Sequence, residues 1–283
     1  MPISKGKFTY IVDKDKITRT FEGEIYKNNL NKVEIDSDIN LLQESNSNKN
    51  GFLVKPFLKK NDFLKLEDLV FNFLTKAFKQ NLNRNNITEK LVKIDDLEFK
   101  EKMRKLYYGI PFEKLNFRKI DIEEWASKII GSDLHCDDLP SKSDGGYVGP
   151  PGPKSIQIRI VRPNKSDFNP PHRDIYYDNL RNGLNCFMPI FGVNENSSLP
   201  ILKGSHLWNE NETIRTEKYP IIDGNKFSVP AVTSKKDGSF LKLIRPQVKY
   251  GQVMLFSPYA IHGGGVNLGN EVRISFEFRF WKK

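Results

Sequence analysis

The 283-residue chain predicts a mainly β fold with α decoration: a double-stranded β-helix, or jelly roll, flanked by N-terminal helices. Two patterns and one length carry that expectation. From residue 155 onward, short runs alternate apolar and polar residues and are separated by turn residues, the signature of a double-sheet β fold. Before residue 131, apolar residues recur instead at helical spacing. A chain of this size can bury a full core as one domain, so residues 1–283 are expected to form a single unit. Residues 1–150 would supply strands and supporting helices, and residues 151–283 the jelly-roll core.

Along the chain, residues 6–26 alternate around Asp13-Lys14-Asp15-Lys16 and predict a hairpin. Residues 36–50, rich in Asn, Ser and Asp, read as a loop, and Gly51–Phe57 as a strand. A helix is expected from Asp62, with Leu66, Leu69, Val70, Phe73, Leu74 and Ala77 forming its buried stripe. Residues 88–107 carry a weaker helical pattern. Asp121-Ile122-Glu123-Glu124 has the form of a capping box ahead of Trp125, Ile129 and Ile130, and Gly131 is placed to stop that helix. Residues 139–153, with their Gly and Pro, predict no regular element. Such a stretch, with parts of 205–238, would border a site mouth and provide a mobile lid. Strands are then expected over 155–162, 184–191, 199–202, 239–245, 252–257 and 272–280. Over residues 155–162, Gln157 and Arg159 share one face, and Ile156, Ile158 and Ile160 the other.

The chain has four histidines, and two of them stand in a suggestive pattern. His172 and Asp174 are two residues apart, a spacing that puts both side chains on one face of a strand. His262 follows far downstream, within His262-Gly263-Gly264-Gly265. Two imidazoles and one carboxylate leave three metal positions open, which is the ligand set of a non-haem Fe(II) oxygenase. Arg273 comes eleven residues after His262 on an alternating segment. A guanidinium there can hold a carboxylate by two parallel hydrogen bonds. Ser275, two residues on, would add a hydroxyl on the same face. Metal triad plus carboxylate clamp is what an enzyme binding iron and 2-oxoglutarate together requires, with the last open position left for O2. His206 is a weaker metal candidate, and His135-Cys136-Asp137-Asp138 weaker still, because contiguous ligands cannot all converge on one ion.

Four segments, in order, resemble the phytanoyl-CoA dioxygenase-like family of Fe(II)/2-oxoglutarate oxygenases: Gly51–Leu58 with the following helix, Gln157–Ile160 with His172-Arg173-Asp174, Leu199–His206, and His262–Asn267 with Arg273 and Ser275. The third has Lys203 where the family usually has Pro. The resemblance covers roughly residues 51–281. It implies that Gln157 faces the cosubstrate and Arg159 the substrate, although a polar outer face would show the same alternation. Tyr176 would also face the substrate if the strand carrying Asp174 continues, and is otherwise a packing aromatic. Related halogenases replace the metal-binding carboxylate; Asp174 retains it, so hydroxylation is the default outcome. Desaturation or ring closure stays open.

Composition narrows the partners. Cys136 and Cys186 are too few for a disulfide framework, and no apolar signal core or membrane-length run is present, which suits a cytoplasmic protein. The net charge is +10, and residues 151–283 hold +8 of it. That excess fits attraction of an anionic substrate, or a solvated basic surface. Neither a zinc knuckle nor an RNA-recognition motif is present, so nucleic acid is not the expected partner. The leading reading is therefore a dioxygenase hydroxylating a small polar or anionic metabolite, such as a sugar, an amino-acid derivative or a pathway intermediate, with release of succinate and CO2. The alternatives are the same chemistry on a protein or nucleic acid, and a non-oxidative jelly-roll isomerase or binding protein. Arg273 argues against the last, which needs no carboxylate clamp. Oligomeric state is not legible from the sequence.

Overall fold

The computed structural model describes residues 5–26, 42, 48–106, 109–136, 155–165, 167–176 and 180–283. Most of the 36–50 stretch and all of residues 139–153, expected as loop and lid, lie outside the described residues. In order, the elements are strands β1 (Lys5–Val12), β2 (Asp15–Glu22), β3 (Ile25–Tyr26) and β4 (Phe52–Pro56), and helices α1 (Lys60–Phe78), α2 (Ile87–Val92) and α3 (Asp96–Leu106). Strand β5 (Ile110–Pro111), helix α4 (Lys119–Ile130), and strands β6 (Leu134–His135), β7 (Ser155–Val161) and β8 (Gly183–Phe191) follow. The chain then forms β9 (Thr213–Thr216), β10 (Ile221–Ile222), β11 (Asn225–Lys226), β12 (Val232–Lys235), β13 (Lys242–Leu243), β14 (Gln252–Phe256) and β15 (Arg273–Lys282).

The largest sheet runs β4-β14-β8-β15-β7-β5, with β6 also on β15. Two smaller sheets, β11-β10-β2-β1-β13 and β12-β9-β3, complete the jelly roll. The predicted hairpin is β1 and β2, paired from Lys5↔Glu22 to Val12↔Asp15. It enters the sheets of the C-terminal half, as β1 pairs β13 and β2 pairs β10.

Alternation in the large sheet sorts its residues between two environments. Ile274, Phe276, Phe278 and Phe280 of β15, Ile156, Ile158 and Ile160 of β7, and Leu184, Cys186, Met188 and Ile190 of β8 face one way. They pack with α1, α3 and α4 into one continuous apolar core. Burying each such Leu, Ile or Phe contributes about 1.5–3 kcal/mol. The helices thus cover one face of the sheet, as expected. The other face looks into the interior of the roll.

Several local expectations are corrected. Helix α1 begins at Lys60 and buries Phe63, Leu66, Glu67, Val70, Phe71, Leu74 and Phe78; Ala77 is exposed. The larger phenylalanines take the sheet-facing stripe and rotate it away from Ala77. In α4 the capping box joins Arg118 and Asp121, so Asp121 is the third helical residue and not the cap. Gly131 closes the helix in the left-handed region at φ +82°, as its position predicted. Residues 199–202 form only an isolated bridge at Ile201, and 239–245 contain just the two-residue strand β13. Residues 205–238, expected partly as loop, contain strands β9 to β12.

Candidate active site

The structure brings His172, Asp174 and His262 together. One ligand atom from each lies within 4.8 Å of the other two, and all three residues are buried. His172 Nε2 is 3.3 Å and His262 Nε2 3.7 Å from Asp174 Oδ1. Ligands about 2.1 Å from one ion at right angles sit about 3 Å apart, so a small divalent ion fits this group with little adjustment.

The route to this arrangement differs from the expected one. His172 and Asp174 do not share a strand. His172 forms an isolated antiparallel bridge with His262; each N–H donates to the other's carbonyl at 3.0 Å. Directly opposed residues in such a pair project to the same side, which brings the ring centroids to 4.3 Å. Asp174 opens a 3-10 turn, Asp174–Tyr176, and its N–H is anchored on the Pro258 carbonyl at 3.0 Å. The glycines after His262 allow this closeness. Gly263 has φ +88°, and a Cβ there would meet the Pro170 carbonyl at 2.9 Å and His172 Nδ1 at 3.2 Å. A Cβ on Gly265 would lie 2.4 Å from Pro200 Cγ.

Each histidine is oriented by a carbonyl. His172 Nδ1 donates to Pro170 O at 2.8 Å and His262 Nδ1 to Ala260 O at 3.0 Å. That places the ring proton on Nδ1 and leaves both Nε2 lone pairs for a metal. Burial, reinforced by His172 and opposed by Asp174, pulls the His262 pKa down to about 4, so its ring is neutral at pH 7. Burial alone would raise the Asp174 pKa. The Arg279 guanidinium beside it outweighs burial and holds the carboxyl well below the usual range.

The inner face of β15 continues the site. Arg273 is buried beneath the pocket and donates from Nη1 to Ser197 O at 3.2 Å. Burial lowers its pKa to about 10, opposed by Glu277, and it remains a cation at neutral pH. Its Nε, and the Oγ of fully buried Ser275, have no hydrogen-bond partner among the described residues. A buried cation and hydroxyl left open on one strand face fit a carboxylate, so the residues present suit 2-oxoglutarate as well as a metal. Arg159, in register with Ser275, lines the pocket and donates from Nε and Nη2 to Glu277 Oε2, both at 3.3 Å. The pocket opens to solvent and is also lined by Asn169, Asn185, Phe256, Glu277 and Arg279.

Other expected residues lie elsewhere. Tyr176 does not line the pocket. The 3-10 turn breaks the two-residue periodicity, so Tyr176 turns into the core of the smaller sheets, 3.4 Å from Glu210 Oε2 and beneath the Arg215 guanidinium. Gln157 shares the inward face with Arg159 and pairs with Glu277 but does not line the pocket. No residue of 205–238 lines it either. Arg162 is buried against Asp167 and Asp96, and Arg173 against Glu210 and the Ser205 carbonyl; neither is a surface charge. Arg245 is paired with Asp13. His206 is fully buried against Gly51 and is not part of the three-ligand group. Sequence reasoning missed Glu277, Arg279 and Asn185. Counting on by twos from Arg273 would have found the first two.

Among the described residues, no helix is long and apolar enough to cross a membrane. No curated protein matches the chain. Solved structures resemble it at low identity. The crystal structure of EctD from S. alaskensis with 2-oxoglutarate and 5-hydroxyectoine gives a TM-score of 0.47 at 12% identity, covering 87% of this chain and 77% of that one. The epimerase SnoN, in complex with Fe3+, alpha ketoglutarate and nogalamycin RO, gives 0.42 at 14%, covering 86% and 83%. EvdMO1 gives 0.47 at 14% and covers 83% of this chain; the chain spans 48% of EvdMO1's length. The family model described as phytanoyl-CoA dioxygenase (PhyH) matches residues 93–275, a stretch that takes in both histidines of the triad, Asp174, Arg273 and Ser275. A match over well more than half the chain makes this protein a member of the phytanoyl-CoA dioxygenase family, an iron- and 2-oxoglutarate-dependent non-haem dioxygenase.

Proposed function

We propose that the protein hydroxylates a small polar or anionic metabolite, with residues 1–283 acting as one oxygenase domain. In this reading His172, Asp174 and His262 hold Fe(II), Arg273 and Ser275 hold the distal carboxylate of 2-oxoglutarate, and Arg159 meets the substrate. The observation that carries it is the open clamp, since a buried guanidinium nitrogen and a buried hydroxyl beside a three-ligand group have no hydrogen-bond partner among the described residues. Bound iron and 2-oxoglutarate supply the oxidising chemistry, in which O2 is consumed and the 2-oxo acid becomes succinate and CO2. The chain supplies the rest. The Nδ1–H···O=C bonds fix which imidazole nitrogen meets the metal, Arg279 steadies the ligand carboxylate, and the buried walls limit water.

A small-molecule substrate is favoured because the pocket is a single cleft whose charges are of both signs, Arg159, Arg273 and Arg279 with Asp174 and Glu277, and not an extended basic groove. The test is succinate release from 2-oxoglutarate by the iron-loaded protein, with small-metabolite mixtures compared against peptide and oligonucleotide libraries. Stimulation by the small-molecule mixture alone supports the reading. Stimulation confined to peptides or oligonucleotides would move the substrate to a macromolecule.

A further inference from the structure

Asn185 has no role in the reading above. It sits on β8 directly opposite Arg279, and opposite Phe256 of β14, whose ring packs edge-on against His262 at 4.9 Å. It is 3% exposed, lines the pocket, and neither its amide nitrogen nor its amide oxygen has a hydrogen-bond partner among the described residues. Native cores rarely leave both ends of a carboxamide unpaired, and an unpaired group in a pocket is an unmet demand on whatever fills it.

Position decides which ligand can meet that demand. Asn185 is level with Arg279, four residues along β15 from Ser275, or roughly 13 Å at the usual strand rise. A five-carbon diacid whose far carboxylate rests on Arg273 and Ser275 reaches at most about 6 Å from end to end, at about 1.5 Å per carbon–carbon bond. The long Arg279 side chain returns to Asp174, but the short Asn185 side chain stays at its own level. Asn185 therefore lies beyond the cosubstrate, on the side left for the molecule to be oxidised.

We infer that Asn185 is a specificity-determining residue that hydrogen-bonds in both directions to a neutral group of the substrate offering donor and acceptor side by side, such as a carboxamide, an N-acyl group or a hydroxyl pair. A bare carboxylate would satisfy only the amide nitrogen, and a bare ammonium only the oxygen. This inference rests on the proposed oxygenase function and narrows its substrate.

The test uses Asn185→Leu, close in volume and apolar, and Asn185→Thr, which keeps a donor and an acceptor. Probes are mixtures of small carboxamides, N-acyl amino acids and diols, each matched with its ester or O-methyl counterpart. Wild-type succinate release should rise with the first set and not with its counterparts. Asn185→Leu should lose that stimulation by about tenfold or more, while Asn185→Thr keeps part of it. Neither variant should melt lower than wild type, and 2-oxoglutarate affinity and substrate-free succinate release should stay within about twofold. Unchanged stimulation in Asn185→Leu would overturn the inference. So would lower melting in both variants, which marks a structural residue, or weakened 2-oxoglutarate binding, which marks a cosubstrate contact. Wild-type protein that binds no metal and releases no succinate would overturn the oxygenase reading itself, and this inference with it.

Discussion

Arg279 Nη2 donates to Asp174 Oδ2 at 2.6 Å, so the carboxylate of the triad is gripped by a cation on the side away from the two imidazoles. Asp174 Oδ1 is the oxygen nearest both Nε2 atoms, and the grip leaves it as the natural ligand atom. Arg279→Ala is expected to lower metal affinity by about 10–100-fold, the usual range for residues that orient a ligand. Arg279→Lys should restore part of the loss. Fe(II) or Co(II) titration measures both; equal affinity in all three proteins would remove the positioning role. Asp174→Ala should lower affinity further and abolish hydroxylation.

Arg273→Ala should raise the 2-oxoglutarate concentration for half-maximal succinate release by about 10²–10³-fold, because the diacid's far carboxylate would be buried without its counterion. Metal affinity should stay unchanged. If the cosubstrate constant does not move, a different cation, with Arg159 next in reach, holds that carboxylate.

Among the described residues Arg159 is held by two long bonds to Glu277, so it can turn to a ligand at small cost. Arg159→Gln should lower kcat/KM for an anionic substrate and flatten its dependence on salt up to ~0.15 M, where the screening length is about 8 Å. Turnover that is equally salt-independent in both proteins would show that the basic charge of residues 151–283 does not steer substrate.

The neutral His262 ring makes the metal-free protein acid-sensitive. Its folded pKa of about 4 lies below the usual 6.5, so the unfolded chain takes up a proton first as pH falls. Full stability is present above pH ~6.5 and is lost as pH falls towards 4, by up to roughly 3 kcal/mol. Urea midpoints of metal-free wild type and His262→Asn across this range should converge in acid. Parallel curves would show that the ring does not titrate this way.

Gly51→Ala should destabilise the fold without touching metal binding. Gly51 has φ +78°, and a Cβ would lie 2.5 Å from Nδ1 of the fully buried His206 ring. Strain plus overpacking predicts a loss of about 1–3 kcal/mol. Calorimetry of Gly51→Ala and of Gly51→Ala/His206→Ala is the check; the second change should relieve the clash.

Much of this was legible from period and spacing. Ile156, Ile158 and Ile160 alternate with Gln157 and Arg159 because one face of β7 meets helices and the other the interior. The His172, Asp174 and His262 set was visible because few residue types bind iron in that combination. What stayed hidden was conformation not written in residue period. A 3-10 turn at Asp174 changed the direction of Tyr176. The His172 and His262 strands are single bridges, too short to alternate visibly. Asn185 is one polar residue in the apolar run Leu184–Phe191, and only the fold shows that it faces the pocket.

β15 carries the clamp and the core on one uninterrupted strand: Arg273, Ser275, Glu277 and Arg279 inward, Ile274, Phe276, Phe278 and Phe280 against the helices. Deleting one residue near its start would turn the whole strand inside out, sending four charged or hydroxylated side chains into oil and four greasy ones onto the iron. Catalytic competence and foldability are therefore tied to the same reading frame of this strand. Natural length variation should be purged from residues 273–280 more severely than point changes at any one of them.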